Sequence, residues 1–306
     1  MKGSKKKKLI AIVGPTASGK TDLAVYIAKK FNGEVVSADS RQVYKWMDIG
    51  TGKATKEEMD GIPHYLLDVV HPKEQFTVAE FKEQAADAIK KIYKKNKLPI
   101  IAGGTGFYIQ AVVDDINFPE VPPNQDLRKE LDKYSTEKLF KILRKKDPRR
   151  AKTIQKENKR RLIRALEIIE ETGNWVPVIT KNTPYDLLII GIKMPREKLD
   201  KRIKIRLDAR FDEGMVKEVK NLHKKKKVSW KRLENFGLEY RWIARYLQDK
   251  ISEEEMKEEL YKDIKRYARR QMTWFKRDKR INWLELKTKD KLQKEADSLV
   301  EKFLKS

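Results

Sequence analysis

The sequence predicts an α/β fold in which a parallel sheet flanked by helices is interrupted by an all-helical insertion. Three observations carry that reading: apolar strand-like runs alternate with helical spacing, the first run leads into a phosphate-cradling loop, and a proline cluster opens a stretch of purely helical periodicity. Leu9 to Val13 runs directly into Gly14-Pro15-Thr16-Ala17-Ser18-Gly19-Lys20-Thr21, which fits G-x-x-x-x-G-K-T and makes the sheet P-loop NTPase-like. The amides of such a loop converge on an anion, Lys20 reaches the outer phosphates, and the Thr21 hydroxyl suits a magnesium ion that bridges phosphate oxygens. Leu23, Ala24, Ile27, Ala28 and Phe31 recur at helical spacing, so the loop opens a helix whose dipole favours negative charge; Gly33 is read as its stop.

Glu34 to Ala38 is the second strand, and it delivers Asp39-Ser40-Arg41-Gln42 to a C-terminal sheet edge, where open parallel sheets bind ligands. Thr77-Val-Ala-Glu80 reads as a capping box before a helix with Val78, Phe81, Ala85, Ile89 and Ile92 on one face. Leu98 to Ala102 is a third buried strand that ends in Gly103-Gly104-Thr105-Gly106, a turn able to approach a ligand closely. Phe118 to Pro123 then breaks regular structure, and helices are expected at 134–145 and 158–172, the second stopped by Gly173. A strand at 187–192 resumes the sheet. Helices at 195–222, 230–247 and 252–275, a strand at 281–286 and a terminal helix complete the chain. The expected organisation is a core domain of residues 1–117 and 185–306 with a helical insertion at 118–184.

Across 306 residues, 71 Lys and Arg stand against 46 Asp and Glu, a net charge of +25 that attracts a polyanion such as nucleic acid. A lysine-rich or thermophilic surface would produce the same excess. With no cysteine, disulfides and thiolate metal sites are excluded, and a reducing cytoplasm fits. The Lys5 to Lys8 run precedes only a short apolar stretch, too brief for a signal peptide, and no run approaches a membrane span. His64 and His71 have no metal-ligand partner at suitable spacing and read as structural.

Gly14 to Thr21, Ser37-Ala-Asp-Ser-Arg-Gln-Val-Tyr44, Met47-Asp-Ile-Gly-Thr51, Pro63-His-Tyr-Leu-Leu-Asp68 and Gly103-Gly-Thr105 resemble, in order, the motifs of tRNA dimethylallyltransferases. The similarity continues through Arg161-Leu-Ile-Arg-Ala-Leu-Glu167 and Arg269-Arg-Gln-Met-Thr-Trp-Phe275, covering nearly the whole chain. The resemblance implies transfer of a dimethylallyl group from its diphosphate to the exocyclic amine of the adenosine 3′ to the anticodon, in tRNAs reading codons that begin with U. It also implies Mg2+ dependence and an insertion that grips the anticodon stem-loop; a monomer is expected, although the sequence leaves the oligomeric state open. Two departures stand out: Gly237-Leu-Glu-Tyr240-Arg241 is longer than the family pattern, and Ile264-Lys-Arg266 replaces a threonine-bearing run, so no contacts are carried over there. The zinc finger of some eukaryotic relatives is excluded by the absence of cysteine.

On this reading the loop holds a leaving diphosphate, with Lys20 and a magnesium near Thr21 assisting departure. Asp39 is the candidate base for the amine proton; a helix cap and an outer magnesium ligand are its alternatives. Ser40, Arg41 and Gln42 are expected on the tRNA near the reacting base, as is Thr105, unless it caps the next helix. Arg206 matches a family arginine that closes on the diphosphate, with a solvated helix face as the alternative. Arg160, Arg161 and Arg164, with Leu162 and Ile163 between them, and Arg128 are assigned to the anticodon arm. Phe236, Tyr240 and Trp242 either stack on a base or belong to the core. Two other functions compete: an adenylate isopentenyltransferase acting on a free nucleotide, and a P-loop kinase or nucleotide-gated RNA-binding protein. The full insertion and the charge favour tRNA, and no clear apolar strand ends in a magnesium-binding aspartate.

Overall fold

A computed structural model describes residues 6–178 and 180–306; Lys5 of the N-terminal lysine run lies outside them. The chain divides into two compact units, residues 1–115 with 183–306 and residues 116–182.

The first unit opens with β1 (Lys7–Val13), α1 (Lys20–Lys30), β2 (Gly33–Ser37), α2 (Lys56–Met59), β3 (His64–Tyr65), α3 (Val78–Lys94), β4 (Leu98–Gly103) and α4 (Gly106–Val113). Leu9 to Val13 are buried on both faces of the sheet: Leu9, Ala11 and Val13 pack with α3 and α4, and Ile10 and Ile12 pack with α1. This explains why the strand reads as an unbroken apolar run. The capping box at Thr77 and Glu80 is present in both directions. Gly33 does not stop α1, as its position suggested. Asn32 takes the left-handed conformation at φ 52° instead, and Gly33 is already in β2, where a Cβ would come within 2.8 Å of the Leu98 carbonyl oxygen. The glycine is required by strand approach, not by helix termination.

The second unit contains α5 (Gln125–Asp132), α6 (Thr136–Lys146), α7 (Pro148–Thr153) and α8 (Lys159–Thr172). Each begins at a side-chain cap, Asn124, Ser135, Asp147 and Asn158 respectively, and Gly173 ends α8 at φ 66°. Leu131, Leu139, Leu143, Leu162, Ile163, Leu166 and Ile169 form its core. Leu162 is fully enclosed and Ile163 nearly so, which corrects their assignment to RNA contact: they face inward, and only their neighbours reach the surface. Glu167 is buried at the centre of a polar clamp. It accepts hydrogen bonds from Arg128 at 2.7 and 2.8 Å, Arg164 at 2.5 Å and the Asn124 amide at 2.8 Å, while Arg164 also donates to the Val121 carbonyl at 2.8 Å. Arg128 and Arg164 are therefore committed to holding α5, α8 and the entry segment together, whereas Arg160 and Arg161 remain exposed.

The chain returns to the first unit through β5 (Tyr185–Lys193), α9 (Arg196–Asp212), α10 (Met215–Lys224), α11 (Trp230–Phe236), α12 (Leu238–Tyr246), α13 (Glu253–Phe275), β6 (Ile281–Glu285) and α14 (Lys289–Lys305). The spans read as single helices at 195–222 and 230–247 are each two. Gly214 at φ 95° and Gly237 at φ 79° break them, and apolar spacing resumes beyond each break into the same core, which hid the interruption. The six strands are all parallel in the order β3-β2-β4-β1-β5-β6, with the P-loop strand near the middle. The loops after β1, β2 and β4 consequently emerge side by side. Among the described residues no helix is long and apolar enough to cross a membrane.

Burial raises the affinity of Glu167 for a proton, but Arg128 and Arg164 outweigh it and hold the carboxyl below its ordinary value of 4.5. A carboxylate depressed by folding contributes stability above its unfolded pKa and loses it as pH falls through the folded value. Glu167→Gln should cost about 1–3 kcal/mol at pH 7. In thermal melts followed by circular dichroism, the gap from the wild type should narrow as pH drops below 4.5.

Candidate active site

The loop between β1 and α1 is shaped by residues that tolerate unusual backbone. Gly14 lies at φ 153°, Ala17 at 61° and Gly19 at 86°, and a Cβ on Gly14 would sit 2.9 Å from the Ile192 carbonyl oxygen on β5. Lys20 donates to the Pro15 carbonyl at 2.6 Å and so arches back over the loop. Ser18 is fully buried, and its hydroxyl has no hydrogen-bond partner among the described residues.

Helix α13 ties this loop to its neighbour. Gln271 accepts from the Thr16 amide at 2.8 Å and donates to the Gly104 carbonyl at 2.9 Å, joining the β1 and β4 loops through one buried side chain. A Cβ on Gly104 would collide with that amide, so the glycine makes room for the bridge. The sequence placed Gln271 inside a family-like run without assigning it a role; its two-sided use depends on tertiary structure.

Helix α9 presents Arg202, Arg206 and Arg210 at successive turns of one stripe. Arg202 donates to the Ala17 carbonyl at 2.9 Å, and Arg210 pairs with Glu239 at 3.3 Å. Arg206 lies between them, lines the cavity, and makes no hydrogen bond among the described residues. Its pKa is pushed down to about 10, by burial first and by Arg210 second. Lys20 is pushed down to about 8 by burial and then by Arg206. Burial raises the Glu239 carboxyl against the opposing pull of Arg210. Only Arg206 was singled out from the sequence, although the spacing of four residues between arginines was a legible sign that all three share a face. Gly52, at φ 56°, makes room for this stripe, since a Cβ there would overlap the Arg210 guanidinium.

On the β2 side, Asp39 Oδ1 accepts from the Arg41 amide at 2.8 Å and the Gln42 amide at 3.3 Å. This turn fixes the carboxylate in the cavity wall and leaves Oδ2 without a hydrogen bond among the described residues. The Ser40 amide donates to Thr105 Oγ1 at 3.0 Å, so the threonine hydroxyl braces the Asp39 loop and does not cap α4. Arg41 donates to the Phe236 carbonyl at 2.9 Å, and Gln42 bridges Ser37 and the Gly52 carbonyl at 3.1 Å each. Tyr267, which sequence reasoning passed over, lines the same wall; burial and then Asp39 raise its hydroxyl pKa. Tyr240 is core, fully enclosed and bonded to Glu218 at 2.8 Å, and Trp242 donates to Asp263 at 2.9 Å, which resolves those aromatics as structural. His64 and His71 bond to local backbone.

These walls enclose a cavity of about 660 Å3 lined by Thr16 to Asp22, Asp39 to Gln42, the three α9 arginines and Gln271. Arg128, Arg160, Arg161 and Arg164 belong to the other unit.

The family described as IPP transferase matches residues 42–278. A tRNA dimethylallyltransferase of Alkaliphilus oremlandii is 41% identical over 310 residues, spanning 97% of this chain and 97% of its own. One from Thermoanaerobacter pseudethanolicus is 43% identical over 289 residues, 90% of this chain and 91% of its own. Among solved structures, the full-length tRNA isopentenylpyrophosphate transferase of Bacillus halodurans aligns with TM-score 0.76 at 40% identity, over 98% of this chain and 97% of that one. A eukaryotic dimethylallyltransferase acting on tRNA aligns with TM-score 0.81 at 27% identity, over 98% of this chain and 80% of that one. The chain therefore belongs to the IPP transferase family, the family of these tRNA dimethylallyltransferases.

Proposed function

We propose that this enzyme transfers a dimethylallyl group from dimethylallyl diphosphate to the exocyclic amine of the adenosine 3′-adjacent to the anticodon of tRNA. The observation that carries the reading is one cavity with a phosphate cradle at one end and the Asp39 carboxylate in its wall. The amine lone pair forms a bond to the terminal allyl carbon as that carbon's bond to oxygen breaks. The electron pair leaves on the diphosphate, and the amine proton passes to Asp39. Lys20, Arg206 and the loop amides stabilise charge on the departing oxygens as donors already held in place. Arg202 and Gln271 position the loop that does this. Extruding the adenosine from its stack is what lets the amine reach Asp39.

A divalent cation fits this donor set in one way. Among the described residues no group of three or more His, Cys, Asp or Glu could hold a metal, yet Thr21, in the first turn of α1, lines the cavity beside Lys20 and offers a hydroxyl oxygen. Mg2+, which keeps several waters and binds readily through phosphate oxygens, would be held by Thr21 and the diphosphate itself. Bound there, it would neutralise charge on the leaving group. The same reading has the enzyme act in the cytoplasm as a monomer. Arg160 and Arg161, exposed on the helical unit, are suited to tRNA phosphates, whereas Arg128 and Arg164 support them from within through Glu167.

Labelled dimethylallyl diphosphate offered with Mg2+ to unmodified tRNA and to AMP should label tRNA alone; label in AMP alone would replace this reading with the free-nucleotide one. Asp39→Ala should lower transfer by roughly 10²–10⁴-fold in single-turnover assays while tRNA affinity changes little. Diphosphate binding should weaken as pH rises through about 8, because the free protein loses the Lys20 charge there and the complex must take a proton up again. Calorimetry should show that dependence flattened in Lys20→Gln, the anion's own titration being common to both. Replacing Arg160 and Arg161 with Gln should reduce the salt slope of tRNA binding by about 1–2, and an unchanged slope would remove them from the interface.

A further inference from the structure

Outside the cavity, Trp46 stands in an unusual position. Its backbone lies at φ 61°, a left-handed conformation that is strained for a bulky side chain, and 40% of the residue is open to solvent. The two residues around it in the chain differ sharply: Met47 is fully buried, while Lys45 is exposed. Lys226 places its ammonium 3.9 Å from the Trp46 ring centroid, and His71 meets the ring edge at a centroid distance of 5.3 Å. Lys226 belongs to the run Lys224 to Lys227 at the end of α10, and neither these lysines nor Lys45 and Lys73 have an acidic partner among the described residues. Packing does not account for an aromatic ring turned outward on a strained backbone, and solubility does not require a lysine set over its face.

We propose that Trp46 is a stacking platform for an unpaired base of the tRNA outside the reacting nucleotide, with Lys226 and its neighbouring lysines on the adjoining phosphates. The combination of an exposed ring and unpaired cations is the chemistry by which proteins hold single-stranded nucleic acid. The chain links this platform to the cavity. Arg232 packs over Phe236 at 4.5 Å, donates to the Pro72 carbonyl at 2.8 Å beside His71, and bonds the Tyr44 hydroxyl at 3.3 Å, two residues before Trp46. Phe236 in turn lines the cavity. The tRNA itself as the occupant rests on the proposed function; a protein partner for the same patch is the competing outcome.

Trp46→Gly is the informative variant, because glycine adopts the left-handed conformation without strain and should leave the melting temperature equal or higher. It should weaken binding of unmodified tRNA on the order of ten-fold, with Trp46→Phe restoring most of the affinity and diphosphate binding unchanged in both. Lys226→Gln should reduce the salt slope while the ring remains. Wild-type tRNA affinity in Trp46→Gly would overturn the proposal and return the patch to a protein partner. Direct tRNA binding is the readout, so wild-type protein that fails to bind tRNA would instead count against the proposed function.

Discussion

Lys20 and Arg202 bond the loop between β1 and α1, Arg206 and Arg210 continue the positive stripe along the cavity, and the fold has to hold these four cations against mutual repulsion. Like charges at successive helical turns oppose helix formation, and in a partly enclosed cavity the opposition is stronger. The fold answers with fixed geometry. Arg202 is held by a loop carbonyl, Arg210 by Glu239, and Lys20 by Pro15, so that Arg206 alone stands without a hydrogen bond among the described residues. Burial first, and a neighbouring guanidinium second, lower the affinity of Lys20 and Arg206 for their protons, so the cavity holds cations short of a partner. On the proposed function, a diphosphate supplies that partner.

The sheet puts the remaining chemistry within reach of that charge. With β4 between β2 and β1, the loops carrying Asp39, the P-loop and Gly103-Gly104 are neighbours, and Gln271 and Thr105 lock them to one another. Asp39 owes its position to its own backbone turn more than to any side-chain partner. The cavity wall is therefore built around three sheet-edge loops and helices α9 and α13, with residues 50–52 and 236–241 completing it, and its fixed cross-links suit the alignment of reacting groups.

Much of this was legible in the residues. The P-loop, the β2 edge with Asp39, the Thr77 capping box and the Asn158 to Gly173 helix could be read because each depends on local spacing or turn chemistry. The breaks at Gly214 and Gly237 could not, since apolar residues resume in phase with the same core. Arg128 and Arg164 looked like phosphate ligands because charge is visible in a sequence and burial of its partner is not. Only the fold shows Glu167 enclosed between them. Leu162 and Ile163 were misplaced for the same reason: a helix has an inside as well as a run of neighbours. Gln271 and Arg202 act across long sequence separations, which no local pattern records.

The position of the helical unit within the chain has a consequence for how the protein comes into being. β1 lies between β4 and β5, and Lys8 pairs with Asp186, a residue 178 positions later. During synthesis, β1, β2 and β4 can associate early, but one edge of β1 stays unpaired until the whole insertion has been translated. The segment that must wait is an apolar strand whose exposed edge is a template for pairing with other chains. A helical unit that closes on its own core, with contacts local in sequence, shortens that interval because it folds quickly once it emerges. Speed of folding in the insertion thus protects the strand that carries the phosphate loop, and slow codons or destabilising substitutions between residues 116 and 182 would act on solubility before they act on catalysis.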